Sequence, residues 1–114
     1  LLTMLYDRLL LDLNRAEAAQ LAQDWIVASD NLMHAQDIIA ELVSSLNTDS
    51  WDGAQGLQSL YAFATQLLVN ANIRRDPALT RQAISLLEPL RQAWHEAAAV
   101  PVAAPARDGG TFVG

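Results

Sequence analysis

Two histidines and two aspartates are the residues of this chain most suited to chemistry, and their spacing argues against it. A di-iron helical bundle draws its metal ligands from Glu-x-x-His pairs on facing helices. The residue three before His34 is Asn31, and three before His95 is Gln92, so neither histidine carries the motif. With two His and no Cys, a tetrahedral zinc site lacks ligands. Both histidines read as partly exposed helix-surface residues. Asp7 and Asp12 lie five apart on one segment, so on a helix they project about 140° from each other. That separation suits ion pairing better than a shared catalytic proton: Asp7 with Arg8 or Asn14 nearby, or with a charge on another helix. Gly53 and Gly56, after Trp51-Asp52, read as a turn entering a helix. A nucleophile elbow, a phosphate loop and a dinucleotide fingerprint are all absent. The expectation is a non-enzyme with no catalytic residue, no metal and no cofactor.

The elements that carry these residues are helices. The stretch from Leu57 to Ala71 places Leu57, Leu60, Tyr61, Ala64, Leu67, Leu68 and Ala71 on one helical face. Upstream, Leu2, Leu5, Tyr6, Leu9, Leu13 and Ala16 share a face, with Leu1, Met4 and Leu11 beside it. That helix is expected to start at or before Leu1 and run to about Gln23. Asp24 is a good N-cap for a second helix, whose face is Ala28, Asn31 or Leu32, Ala35, Ile38, Ile39, Leu42 and Leu46. Asn47-Thr48-Asp49-Ser50 breaks it, since these side chains compete for backbone hydrogen bonds. Ser50 or Asp52 is the expected cap of the third helix, predicted over about 51–75. Asp76-Pro77 opens the fourth, because Asp caps well and Pro suits the first helical position. Its face is Leu79, Ala83, Leu86, Leu87, Leu90, Trp94 and Ala97. The apolar spacing stays in phase across Pro89, which predicts a kink and not a stop. Trp94, in phase with that stripe, is expected to seal an end of the core.

These four segments predict an all-α antiparallel up-down four-helix bundle over residues 1–98. Residues 99–114, with two prolines and two glycines and no apolar period, read as a flexible C-terminal tail without a role. The chain of 114 residues is 52% apolar, enough for one core. Its formal charge is −6, and its seven cations are all Arg, with only Arg74 and Arg75 adjacent. Nucleic acid is excluded as a partner, since phosphate binding needs clustered cations. No apolar run approaches the ~20 residues needed to cross a bilayer, so no membrane insertion is expected. The absence of cysteine is compatible with a reducing compartment. Because the chain opens on an uncapped helical pattern at Leu1, a missing N-terminal segment is expected.

The helices carry more apolar surface than one core needs. The third has Phe63, Val69 and Ile73 as a second stripe, the first has Leu1, Leu10 and Leu11, and the second has Val43 beside Ile39. Spare apolar faces on a helical protein point to a partner helix or to self-association.

Four segments now resemble one family: Leu2-Thr3-Met4-Leu5-Tyr6-Asp7-Arg8-Leu9-Leu10-Leu11-Asp12-Leu13; Ala35 to Leu42 with Ser45-Leu46; Leu60-Tyr61 through Asn72 with Asp76; and Leu86-Leu87-Glu88-Pro89-Leu90-Arg91-Gln92-Ala93-Trp94. In order and spacing they are similar to the flagellar export chaperone FliS family. The resemblance implies a cytoplasmic chaperone that binds the C-terminal segment of flagellin. Binding would block premature polymerisation and keep flagellin competent for type III flagellar export, with an export-gate component as a further partner. The residues assigned to partner binding are Leu10, Ile39, Val43, Leu46, Phe63, Leu68, Val69, Asn72 and Ile73. Asn72 has two readings: it bonds the free carbonyls that end its helix, or it reaches a partner's backbone. The family's usual Ser-Pro helix start is missing here. The alternative reading is a helical scaffold or homodimerisation module with no flagellin role.

Overall fold

A computed structural model describes residues 1–46, 49 and 52–100. Four helices follow in order: α1 Leu2–Leu21, α2 Trp25–Ser45, α3 Ala54–Arg74 and α4 Pro77–Ala99. Each packs against two neighbours, α1 on α2 and α4, and α3 on α2 and α4. The diagonal pairs, α1 with α3 and α2 with α4, have no close backbone approach among the described residues. Short connections between sequential neighbours make this an antiparallel four-helix bundle, as expected.

Two of the three turns share one local solution. Asp24 N–H donates to Ala19 O at 2.8 Å and Gln23 N–H to Gln20 O at 3.0 Å. Asp76 N–H donates to Ala71 O at 3.0 Å and Arg75 N–H to Asn72 O at 3.3 Å. Both are Schellman endings, which satisfy the last carbonyls of a helix by turning one residue left-handed. That residue is usually glycine. Here it is Gln23 (φ 59°) and Arg75 (φ 54°), a conformation that costs an L-residue about 1–2 kcal/mol. In each case the next residue is an aspartate that caps the following helix. Asp24 Oδ1 accepts from Val27 N–H at 3.3 Å, and Asp76 Oδ1 from Ala78 N–H at 2.9 Å.

The expected cap of α3 is corrected. Its N-cap is Gly53, with no side-chain bond, and Asp52 lies one residue outside. Ser50 and Trp51 lie outside the described residues, as do 101–114, the body of the expected tail. The helix α4 continues unbroken through Pro89. Pro89 and Ser85, whose carbonyl would accept the missing N–H, both lie on the exposed side of the helix.

The core is apolar and continuous. Tyr6, Leu9, Leu13 and Ala16 from α1 meet Leu32, Ala35, Ile39 and Leu42 from α2, Tyr61, Ala64, Leu68 and Ala71 from α3, and Ala83, Ile84 and Leu87 from α4. Leu57, Leu60, Leu79, Leu86, Leu90 and Trp94 are half-buried against it. Burying a single Leu is worth roughly 1.5–3 kcal/mol, so this cluster dominates the stability of the fold.

Candidate functional site

Three buried polar residues tie the bundle together, and none was singled out in the sequence as a core tie. Asp12, on α1, has a side chain only 1% exposed. It accepts from Arg8 Nε at 3.0 Å, one turn earlier, and pairs with His34 Nδ1 of α2. Gln20, near the end of α1, sends Nε2 to Ala71 O at 3.1 Å and accepts from Thr80 Oγ1 at 2.7 Å. One amide thereby joins α1 to the last turn of α3 and the first turn of α4. A buried carboxylate or amide without such partners would cost several kcal/mol, which these bonds offset.

The histidines are partly exposed, as expected, and each is bound to an aspartate of α1. His95 Nε2 lies 2.6 Å from Asp7 Oδ1, and Arg91 Nη1 donates to the same oxygen at 3.1 Å. Asp7 therefore pairs with α4 and not with Arg8 or Asn14. The hydrogen bonds from His95 and then Arg91 hold its carboxyl below the usual aspartate value. Arg91 also grips Glu88 one turn back, and that bond lowers the Glu88 carboxyl. These contacts clamp α1 between α2 and α4. No group of three or more His, Cys, Asp or Glu residues is placed to hold a metal among the described residues.

The residues assigned to partner binding fall into three groups. Leu10, Ile39 and Leu68 are interior, between 0 and 3% exposed. They pack the core, because each faces the bundle axis; the reading of Leu10 as spare surface is corrected. Val43 and Leu46 are half-buried at the edge of the core. Phe63, Val69 and Ile73 are exposed, at 53, 37 and 74%. They do not line one groove. Phe63 faces α4, beside Leu67, Arg81, Gln82, Ser85 and Leu86, while Ile73 borders a cavity with Trp25, Ala28 and Ser29 of α2. Asn72 does not bond the carbonyls that end its helix: Nδ2 crosses to Ser29 Oγ at 3.2 Å, tying α3 to α2.

An apolar cavity lies where α1 and α3 begin and α2 and α4 end. It measures about 350 Å³ and is lined by Leu2, Leu42, Ser45, Leu46, Leu57, Tyr61 and Trp94. Leu46 is the one residue of the sequence-derived set that reaches it. The indole of Trp94 packs at a tilt on Tyr6, ring centres 6.4 Å apart. Its Nε1–H is buried and has no partner among the described residues. A buried donor left unpaired costs about 1–3 kcal/mol, so this end of the bundle stores an unmet hydrogen bond beside an apolar hole. The sequence could have shown it: Leu42, Leu46, Leu57, Tyr61 and Trp94 all sit on expected core faces near helix ends.

The fold is an all-α four-helix bundle with an apolar cavity at one end and with ion pairs and hydrogen bonds between its helices. The chain belongs to the flagellar protein FliS family, which it matches over residues 1–101. That membership places it among flagellar chaperones. None of the curated proteins matches it. No helix is long and apolar enough to cross a membrane among the described residues.

Proposed function

We propose that this protein is a cytoplasmic, non-enzymatic export chaperone that binds the C-terminal segment of flagellin and keeps it from polymerising before type III flagellar export. The observation that carries this reading is the apolar end cavity with the unpaired Trp94 Nε1–H. A segment that folds on binding can place one apolar side chain in the cavity and, as its entry displaces the groups that cover the indole, a free backbone carbonyl on Nε1–H. Val43, Leu46, Phe63, Val69, Asn72 and Ile73 then offer further contacts around the bundle, while Leu10, Ile39 and Leu68 support them from within. Ordering a free segment costs about 2–5 kcal/mol, so a single pocket does not suffice and the partner must cover several of these faces. Association with an export-gate component follows once flagellin is bound. Titration calorimetry of the isolated flagellin C-terminal segment into the protein tests the reading. It predicts saturable binding of one segment per bundle; absence of heat and of complex on gel filtration would leave the scaffold alternative.

A further inference from the structure

The opposite end of the bundle holds a second cavity of different chemistry. It measures about 270 Å³ and lies where α1 and α3 end and α2 begins, between Gln20, Trp25, Ser29, Asn72, Ile73 and Arg75. Its unspent hydrogen-bonding capacity is weighted to donors. Gln20 Nε2 uses one of two hydrogens on Ala71 O, and Asn72 Nδ2 one of two on Ser29 Oγ. The Ser29 hydroxyl donates only to Met33 Sδ at 3.8 Å, a weak bond.

Arg75 completes the wall. Its guanidinium carbon sits 5.0 Å from the centre of the Trp25 ring, a cation–π stack that fixes its orientation. Arg8, Arg81 and Arg91 each meet a carboxylate, at Asp12, Glu17 and Asp7 with Glu88. Arg75, like Arg15 and Arg74, meets none among the described residues, and of these three only Arg75 is stacked on a ring. The two carboxylates next to this corner in the chain, Asp24 and Asp76, are spent on helix caps. So an acidic protein holds an oriented and unpaired guanidinium, with Arg74 adjacent, over a cavity of amide and hydroxyl donors. Ile73, three-quarters exposed, supplies an apolar rim.

We infer that this cavity binds a side-chain carboxylate from an extended or helical segment of another protein, with an apolar residue beside it resting on Ile73. A carboxylate takes the two-pronged bond that a stacked guanidinium offers, and the amide donors of Asn72 and Gln20 fill its remaining lone pairs. The inference shares Asn72 and Ile73 with the flagellin reading but needs neither that partner nor the apolar cavity.

The test is an amide-resolved NMR titration with three small probes: N-acetyl-Leu-Glu amide, N-acetyl-Leu-Gln amide, and N-acetyl-Leu-Gln with a free C-terminus. The glutamate probe should give saturable shifts of the Trp25 indole and of the Gln20 and Asn72 side-chain amides. The neutral probe should give none. Arg75→Gln should weaken glutamate binding at least about tenfold, and Arg75→Lys by less, because charge remains while the fork is lost. The spectra themselves report that each variant is folded. Equal binding of the glutamate and neutral probes, or no loss in Arg75→Gln, overturns the site. Binding of the free-C-terminus probe alone overturns the assignment to a side chain.

Discussion

The hydroxyls of Tyr6 and Tyr61 meet 2.5 Å apart in the core, beside the apolar end cavity, and they join α1 and α3, whose backbones stay apart. Neither ring is more than 2% exposed. Burial, then the bond to Tyr6, pushes the Tyr61 phenol well above its usual value. The pair is therefore one hydrogen bond across the core diagonal, in which either hydroxyl can donate to the other.

That geometry predicts strong coupling. Tyr61→Phe leaves the Tyr6 hydroxyl buried without a partner and should cost about 1–3 kcal/mol. Tyr6→Phe should cost a similar amount. The double variant should cost less than the sum, by about 1 kcal/mol, because it removes both polar groups together. Urea unfolding of the four proteins completes the cycle, and additive losses would show that the hydroxyls do not share one bond. The raised Tyr61 value also fixes a sign. The protonated phenol is favoured in the fold, so its contribution is full below about pH 10 and falls as the unfolded phenol ionises above it.

Gln20 and Thr80 hold the far end in the same way. Thr80→Val keeps the shape but takes the donor from Gln20 Oε1, and should lower stability by about 1 kcal/mol. Gln20→Leu should cost about 1–3 kcal/mol, because it also removes the bond to Ala71 O and exposes the ends of α3 and α4 to fraying. Hydrogen exchange reads this directly. The amides near Ala71 and Thr80 should exchange faster in Gln20→Leu, with those near Tyr6 unchanged; uniform acceleration would deny Gln20 a local role.

Acid sensitivity should trace in part to Asp7. Its carboxyl is lowered in the fold by His95 and Arg91. A group with a depressed folded value contributes above the unfolded value of about 3.9 and loses that contribution as pH falls through the folded one. Thermal midpoints measured from pH 6 to pH 2 should decline less in Asp7→Asn than in the parent. Parallel declines would place the acid response elsewhere.

Two faces of α3 should respond oppositely to charge. Phe63→Asp and Val69→Asp sit at exposed positions and should leave the thermal midpoint nearly unchanged while weakening partner binding. Leu67→Asp puts an unpaired charge against the core and should unfold the bundle. Unfolding by Phe63→Asp would show that the ring packs on α4 more firmly than its exposure indicates.

What the sequence made legible follows from the range of each interaction. Helix starts at Asp24 and Asp76-Pro77 are local, written within three residues, and they stand as read. The helix ends at Gln23 and Arg75 lack the glycine that marks such turns, so the left-handed residue gave no signal. Tyr61, Leu67 and Leu68 were legible as core because apolar period is local too. Pairing of Asp7 with a charge on another helix was one of the readings open, but its partners Arg91 and His95 were not legible, nor were the ties made by Asp12 and Gln20. Each looks like a solvent-facing polar residue until a partner from another helix arrives, up to 88 positions away. The same reason scattered the expected binding set. Spacing alone counts Leu10 as surplus on α1, but α1 lies between α2 and α4, so it has a wider buried arc than a single stripe allows. The apolar cavity was half legible. Its lining residues were read as core, yet only the assembled ends leave a hole between them.

The central claim is that the end cavity and the Trp94 indole receive the flagellin segment, and Trp94→Phe tests it most directly. Phenylalanine keeps a ring against Tyr6 but removes the unpaired donor together with the second ring of the indole, so the lost packing offsets the relieved donor and stability should change little. Affinity for the flagellin C-terminal segment, measured by titration calorimetry, should fall by roughly fivefold to tenfold, the equivalent of one net hydrogen bond. A variant that binds the segment as tightly as the parent, or a parent that does not bind it, would contradict the account.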